Sequence, residues 1–97
     1  MAALAVDETR LSQICARYGI ATLRVFGSVA RGDDTSSSDI DILYELQPGT
    51  KLGWKIEDLN RELTDLFGRP VDLVSKKSLH PLLRDTAINE SRRLYAA

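Results

Sequence analysis

The sequence predicts an α/β fold of the α+β type, a small mixed β-sheet of about three strands flanked by helices. Two observations lead to this prediction. Stretches with helical apolar spacing alternate with short β-type stretches, which is typical of a sheet covered by helices. Carboxylates lie on two of the β-type stretches, and they can share one site only if those strands pair in a mixed sheet. The 97 residues are enough for one compact domain, and we expect residues 1–97 to form a single domain.

The first part of the chain predicts a helix, a strand and a short helical turn. Residues 7–18 form the helix, because apolar residues recur there at helical spacing and Gly19 ends it. The β-type stretch Ile20–Phe26 follows. The segment 28–31 is long enough for one helical turn. The polar, serine-rich composition of residues 32–38 predicts a loop.

The rest of the chain predicts two further strands, each followed by a helix. Residues 39–46 alternate between apolar and more polar side chains, which predicts a strand with one packed face. Residues 51–67 give the clearest helix, since leucine and isoleucine recur there every three or four residues. Residues 71–74 form the third strand. Residues 78–95 predict a last helix, with a serine cap at its first residue and Pro81 in its first turn.

The most informative motif is Gly27-Ser28, which stands ten residues before the pair Asp39 and Asp41. Carboxylates at positions i and i+2 of a strand point to the same side of a sheet. By average residue usage, this spacing occurs by chance in a chain of this size with a probability on the order of 10⁻³. Asp72, on the third strand, adds a further carboxylate. Together these residues indicate one functional site.

A shared site would fix how the strands pair. Ser28, after the first strand, and Asp39, at the start of the second, can meet only if those two strands are antiparallel. Asp72, at the start of the third strand, can join them only if the second and third strands are parallel, with the helix at 51–67 crossing between them. One shared site therefore predicts a mixed sheet.

The three carboxylates are the candidate catalytic and metal-binding residues. Neighbouring carboxylates repel one another, and divalent cations remove that repulsion. Mg²⁺ prefers carboxylate oxygens and bridges to substrate phosphates, and two such ions can hold the attacking and the leaving oxygen of a displacement. We therefore expect Asp39, Asp41 and Asp72 to bind two Mg²⁺ ions. Asp72 either completes a metal site or helps deprotonate the acceptor hydroxyl.

Gly27, Ser28 and Arg31 are the candidate phosphate-binding residues. Gly27 allows a tight turn, and the amides that follow begin a helix, where phosphate oxygens bind favourably. Arg31 lies three residues further on the same helical face, and its planar guanidinium can contact phosphate. With the carboxylates, these residues predict metal-dependent handling of a nucleoside triphosphate.

Residues 26–32, Phe-Gly-Ser-Val-Ala-Arg-Gly, and the Ser-Asp-Ile-Asp of residues 38–41 resemble the signature of the polymerase-β-like nucleotidyltransferases. More closely, the chain from about residue 20 to residue 95 resembles the minimal nucleotidyltransferases, the MNT-domain proteins of bacteria and archaea. The glycine-serine pair and all three aspartates match the family pattern directly, and Arg31 also carries over. The resemblance implies the polymerase-β-like nucleotidyltransferase fold.

The resemblance also implies a reaction and a partner. Members of this family use ATP with Mg²⁺ and transfer AMP to an acceptor, and many are antitoxins paired with a HEPN-domain toxin. They can inactivate that toxin by attaching AMP to one of its tyrosines. We therefore expect a protein adenylyltransferase that forms a hetero-oligomer with a HEPN toxin. The short chain independently favours an acceptor that another molecule supplies.

Two alternatives stay open. The chain can act on a small molecule with a separate substrate-binding subunit, as antibiotic-inactivating relatives do. It can also be a non-catalytic antitoxin that neutralises its partner by binding alone, although the intact motif counts against this. No base-reading pocket is legible in the sequence, so the nucleobase preference is not predicted.

Composition and charge argue against other classes of function. The net charge is −1 and no basic stripe is present, so direct binding of nucleic acid is not expected. No apolar run approaches the roughly 18 residues that span a bilayer, and residues 1–6 do not form a signal peptide, so no membrane role is expected. The single cysteine, Cys15, excludes an internal disulfide and fits a cytoplasmic location.

Glu45, Trp54 and His80 carry no assigned role. Glu45 lies two steps beyond Asp41 on the same predicted face, and an auxiliary role at the site is not favoured. Trp54 falls outside the apolar stripe of its helix, and we expect it at the margin of the core rather than on a nucleobase or a partner. We expect His80 to be a surface residue at a helix start rather than a base.

Overall fold

The computed structural model describes residues 6–32 and 39–97. Within these two stretches the helices and strands follow in the order α1 (Glu8–Tyr18), β1 (Ile20–Phe26), α2 (Gly27–Arg31), β2 (Ile40–Leu46), α3 (Lys55–Phe67), β3 (Val71–Ser75), α4 (Pro81–Asn89) and β4 (Arg92–Ala96). A turn of 3₁₀-helix at Lys76–Ser78 follows β3. None of the helices described is long and apolar enough to cross a membrane. Residues 33–38 of the predicted polar loop, and residues 1–5, lie outside the described residues.

The strands form one sheet in the order β3-β2-β1-β4. β1 pairs with β2 in the antiparallel sense, and β2 pairs with β3 in the parallel sense. The mixed pairing predicted from a shared site is therefore confirmed. Because β2 and β3 are parallel, the chain crosses between them through α3, as such a connection requires.

The last strand corrects the prediction for the C-terminal region. The predicted helix at 78–95 is wrong beyond Asn89, where α4 ends, because residues 92–96 form β4 and pair with β1. The described part of the sheet thus has four strands rather than about three. The cause is non-local: β4 hydrogen-bonds the edge of β1 that β2 leaves open, and this pairing outweighs a helical pattern in the local sequence.

Two helix starts also differ from the prediction. His80, not Ser78, caps α4, because its Nδ1 accepts a hydrogen bond from the Leu82 amide at 3.1 Å. The expected place of His80 at the start of a helix is thereby confirmed. α3 begins at Lys55 rather than at residue 51, since Gly53 has a φ of +52°, outside the range of a right-handed helix.

The hydrophobic core lies between one face of the sheet and the helices α1 and α3. Its buried side chains are Leu11, Ile14, Cys15, Ile20, Leu23, Val25, Ile40, Ile42, Leu52, Leu59, Leu63 and Val71. Successive residues of a strand face opposite sides of a sheet, so Asp41, between Ile40 and Ile42, faces away from this core. Burial raises the pKa of the Cys15 thiol to about 12, which fits a core residue rather than a reactive one.

Candidate active site

The predicted carboxylates lie together near the first residues of β2 and β3. Asp41 is the direct neighbour of Asp72 across the parallel strand pair. Asp39 immediately precedes β2 and lies two residues before Asp41. Asp39 and Asp72 are exposed and Asp41 is half-buried, so the cluster opens to solvent.

The surroundings of Asp41 shift the pKa of its carboxyl group. Burial raises the pKa of Asp41 above its ordinary value, and the negative charges of Asp72 and Asp39 raise it further. The positive charge of Arg31 acts in the opposite direction. The structure therefore brings all three predicted aspartates and Arg31 into one electrostatic neighbourhood.

Gly27 lies directly against this cluster. The preceding residue, Phe26, pairs with Asp41 across β1 and β2, and this register carries the turn to the carboxylate. Gly27 has a φ of +72°, and a Cβ built on it would lie 2.3 Å from Oδ2 of Asp41. Only glycine gives the backbone both this conformation and this close approach.

The short helix α2 begins at this glycine and ends at Arg31. Ser28 lies in its first turn, and its side chain lies outside what the structure describes. Because α2 follows the turn that contacts Asp41, the backbone of the predicted phosphate-binding segment is next to the carboxylates.

The donor set fits a divalent cation of the Mg²⁺ type. Carboxylate oxygens are its preferred ligands, and Mg²⁺ usually binds one or two carboxylates together with waters and substrate phosphates. Across residues 6–32 and 39–97, no three acidic, histidine or cysteine side chains converge in a geometry that would hold a metal ion. The adjacent Asp41 and Asp72, with Asp39 beside them, fit a metal site that substrate phosphates help to complete.

Asn60, which the sequence analysis did not identify, holds the start of β3. Its Nδ2 donates a hydrogen bond to the carbonyl oxygen of Val71 at 2.8 Å. On the other side of the strand, the amide of Ile40 donates to the carbonyl oxygen of Pro70 at 2.9 Å. The chain is thus fixed on both sides just before Asp72. The sequence did contain a signal for Asn60, because this polar residue lies at helical spacing within the apolar stripe of α3.

The structure shows the surroundings of Glu45 and Trp54, to which the sequence assigned no role. Glu45 accepts a hydrogen bond from the Thr22 hydroxyl at 3.4 Å, and the Lys76 ammonium lies 3.5 Å from its other carboxylate oxygen. Trp54 is 90% exposed, so its predicted position at the margin of the core is wrong. It is the N-cap residue of α3.

Residues 8–94 match the family model of the nucleotidyltransferase domain. Two curated relatives show similarity over most of their length. A provisionally named protein adenylyltransferase of Methanocaldococcus jannaschii is 37% identical, covering 87% of this chain and 89% of the relative. Protein adenylyltransferase MntA of Thermococcus cleftensis is 38% identical, covering 76% of this chain and 74% of the relative.

Solved structures share the fold. One, provisionally described as a minimal nucleotidyltransferase, is 41% identical with a TM-score of 0.76, covering 90% of this chain and 87% of that one. Another is a complex of a tri-AMPylated HEPN toxin of Shewanella oneidensis with an MNT antitoxin. Its matching chain is 20% identical with a TM-score of 0.62, covering 93% of this chain and 70% of that one. At that identity the likeness concerns the fold alone.

Proposed function

The chain belongs to the nucleotidyltransferase domain family and is a nucleotidyltransferase, and from this premise we propose that it transfers AMP from ATP to a protein hydroxyl. The observation that carries the proposal is the adjacent pair Asp41 and Asp72 with Gly27 against it. This arrangement combines carboxylates for a cation with a glycine turn that begins a short helix beside them. Two relatives named protein adenylyltransferase support the same reaction.

In this proposal Asp39 and Asp41 would hold Mg²⁺, which would neutralise charge on the triphosphate. The acceptor oxygen forms a bond to the α-phosphorus of ATP while the bond to the bridging oxygen breaks, and pyrophosphate leaves. The hydroxyl proton must pass to a base as that bond forms. Asp72, exposed at the edge of the cluster, would either complete the metal site or help take this proton.

Gly27, Ser28 and Arg31 bind the phosphates in the same proposal. The backbone amides at the start of α2 donate to phosphate oxygens, and Arg31 supplies a positive charge beside them. The influence of Arg31 on the pKa of Asp41 supports this role, because it places a cation within electrostatic reach of the carboxylates.

We further propose that the acceptor is a tyrosine of a HEPN-type toxin and that this chain is its antitoxin, in a cytoplasmic hetero-oligomer. In this proposal residues 1–97 act as one nucleotidyltransferase domain. The name MntA of the Thermococcus cleftensis relative and the complex of an MNT antitoxin with an AMPylated HEPN toxin support the partner.

The test begins by identifying the protein encoded by the adjacent open reading frame. Its intact mass is then measured after incubation with this chain, ATP and Mg²⁺. We expect the partner to gain one or more AMP units, with peptide mapping locating them on a tyrosine. The Asp39→Asn, Asp41→Asn double variant should abolish the gain, and Glu45→Gln, on the same strand, should retain it. A partner of unchanged mass would refute the proposal.

The same variant separates catalysis from binding. If the double variant still neutralises the toxin as well as the unaltered protein does, binding alone explains the antitoxin activity. If neutralisation is lost while the complex still forms, the transfer reaction is required.

A further inference from the structure

A groove of about 300 Å³ lies between the first half of α3 and the strand β3. Its lining consists of Ile56, Glu57, Asn60, Asp72 and Leu73. Ile56 and Leu73 are half-buried and pack against the hydrophobic core, so they form the apolar part of the lining. β3 is an edge strand of the described sheet, and the groove therefore lies at a border of the sheet. We call this space the α3–β3 groove.

Two carboxylates and one amide form the polar part of the lining. The amide of Asn60 already has partners, because its Nδ2 donates to the carbonyl oxygen of Val71 and its Oδ1 accepts from the Thr64 hydroxyl. Glu57 is exposed, and within the described residues no hydrogen bond or ion pair engages its carboxylate. The described part of the lining contains no lysine or arginine. The groove is therefore acidic and partly apolar.

The α3–β3 groove adjoins the carboxylate cluster on the side away from the phosphate-binding turn. The strand order is β3-β2-β1, so Asp41 on β2 lies between Asp72 and the Gly27 turn that follows β1. In an in-line displacement, the attacking and the leaving oxygen lie on opposite sides of the phosphorus. With the leaving pyrophosphate at the Gly27 turn, the acceptor hydroxyl approaches from the side of β3, where the groove lies.

We propose that the α3–β3 groove binds the acceptor protein and holds a lysine or arginine side chain near its acceptor hydroxyl. This inference rests on the proposed function, because that function sets the direction from which the acceptor approaches. The groove and the carboxylate cluster share Asp72. A segment that fills the groove is therefore next to the reaction centre.

The acceptor hydroxyl and the occupant of the groove belong to two different side chains. Asp72 is the direct neighbour of Asp41 across the strand pair, so both carboxylates face away from the core. Ile56 and Leu73 instead pack against the core, on the other side of the sheet. One segment of the acceptor protein that crosses the edge of β3 can supply both side chains.

A long basic side chain matches the lining of the groove. Its methylene groups can pack on Ile56 and Leu73 while its charged end reaches Glu57. An acidic side chain would be repelled by Glu57 and Asp72. An apolar side chain would remove water from Glu57 without replacing its hydrogen bonds. Glu57 is then the residue that selects the occupant, because Asp72 also serves the metal or the proton.

The first test measures binding and transfer with the protein encoded by the adjacent open reading frame. Binding of the unmodified partner without ATP is measured by calorimetry, and KM is measured separately for the partner and for ATP. We expect Glu57→Lys to weaken binding and to raise KM for the partner about tenfold or more, because like charges then face each other. KM for ATP should not change, and circular dichroism should show an unaltered fold.

Asp58→Lys is the matched control for this variant. Glu57 and Asp58 are exposed acidic residues in the first turn of α3, so the two substitutions change the net charge equally and carry a similar helix-dipole cost. Asp58 lies outside the groove lining and pairs with Arg61 on the surface. Its replacement should leave KM for the partner nearly unchanged. Equal losses in both variants would overturn the proposal, because a general charge effect would then explain them.

The second test exchanges charges across the interface. Each lysine or arginine on the surface of the partner is changed to glutamate in turn. One such change should weaken binding to the unaltered protein and restore binding to Glu57→Lys, as expected for two residues in contact. If no change restores binding, a basic side chain is not the occupant and the proposal is overturned.

The two levels of proposal fail separately. Transfer that proceeds with an unchanged KM for the partner in Glu57→Lys would overturn the role of the groove and leave the proposed function intact. A complex that Glu57→Lys weakens and the charge exchange restores would support the groove even if no AMP is transferred, and the proposed function alone would then fail. A partner that neither binds nor gains AMP would overturn both.

Discussion

Gly27 is in such close contact with Asp41 that a methyl group on the glycine would lie 2.3 Å from the carboxylate oxygen Oδ2. The phosphate-binding turn and the central carboxylate are therefore one packed unit. The register between β1 and β2 maintains this unit, since Phe26 pairs with Asp41.

Gly27→Ala should abolish most of the transfer activity. Both the positive φ and the contact with Asp41 oppose a side chain, so the carboxylate or the turn must move. A displacement of about 1 Å in a catalytic site costs about a hundredfold in rate, and we expect a loss of that size in an AMP-transfer assay.

Gly68→Ala is the matched control for this variant. Gly68 has a φ of +70°, and nothing lies within 4 Å of a Cβ built on it. Both variants should lose about 1–2 kcal/mol of stability from the left-handed backbone, measured by urea unfolding, but Gly68→Ala should keep its activity. Equal losses of activity would contradict the role of the contact.

Addition of Mg²⁺ should stabilise the protein through its carboxylates. Without the ion, Asp72 and Asp39 repel Asp41, and a bound cation removes that repulsion. At about 100 times the Kd, one bound ion adds about 2.7 kcal/mol of stability. Asp72→Asn should reduce this gain, as measured by thermal unfolding with and without Mg²⁺. Asp65→Asn, on an exposed residue of α3, should not change it, and an unreduced gain in Asp72→Asn would count against this metal site.

The strand pairing near the site could be predicted from the sequence because chemistry constrained it. Ser28 and Asp39 required an antiparallel pair, and Asp72 required a parallel one, and the structure has both pairs. A catalytic hypothesis thus supplied long-range information that local periodicity lacks.

The features that the sequence did not predict depend on contacts between distant parts of the chain. Residues 92–96 form β4 because the edge of β1 is available to pair with them, and no local pattern reports that edge. The hydrogen bond from Asn60 to Val71 likewise depends on how α3 crosses the sheet.

Asn60→Leu should lower the rate of transfer by loosening the start of β3. The substitution removes the donor to the Val71 carbonyl while keeping a side chain of similar size, and it should cost about 1 kcal/mol of stability. We expect kcat to fall more than KM for ATP changes, because Asp72 is positioned by this strand. Thr64→Val removes only the hydroxyl that donates to Asn60 at 3.3 Å, so its effect should be smaller. A larger effect of Thr64→Val would contradict this explanation.

Glu62 should make the stability of the protein depend on pH in the acid range. The Tyr18 hydroxyl donates a hydrogen bond to Glu62, and Arg17 pairs with it, so the pKa of this carboxyl lies below its ordinary value of 4.5. Because the pKa is lower in the folded than in the unfolded state, the ionised carboxylate stabilises the fold at pH values above the unfolded-state pKa. This stabilisation is lost as the pH falls through the folded-state pKa. Because the group is solvent-accessible, the effect should stay below about 1 kcal/mol.

Glu62→Gln should therefore be less stable than the unaltered protein at pH 7 and nearly equal to it well below pH 4.5, as measured by urea unfolding at both values. Glu57→Gln, on an exposed residue of the same helix, is the control. In a Tyr18→Phe background, Glu62→Gln should cost much less stability at pH 7, since the largest cause of the lowered pKa is the tyrosine hydroxyl. A cost of Glu62→Gln at pH 7 that persists unchanged in the Tyr18→Phe background would assign the effect to Arg17 instead.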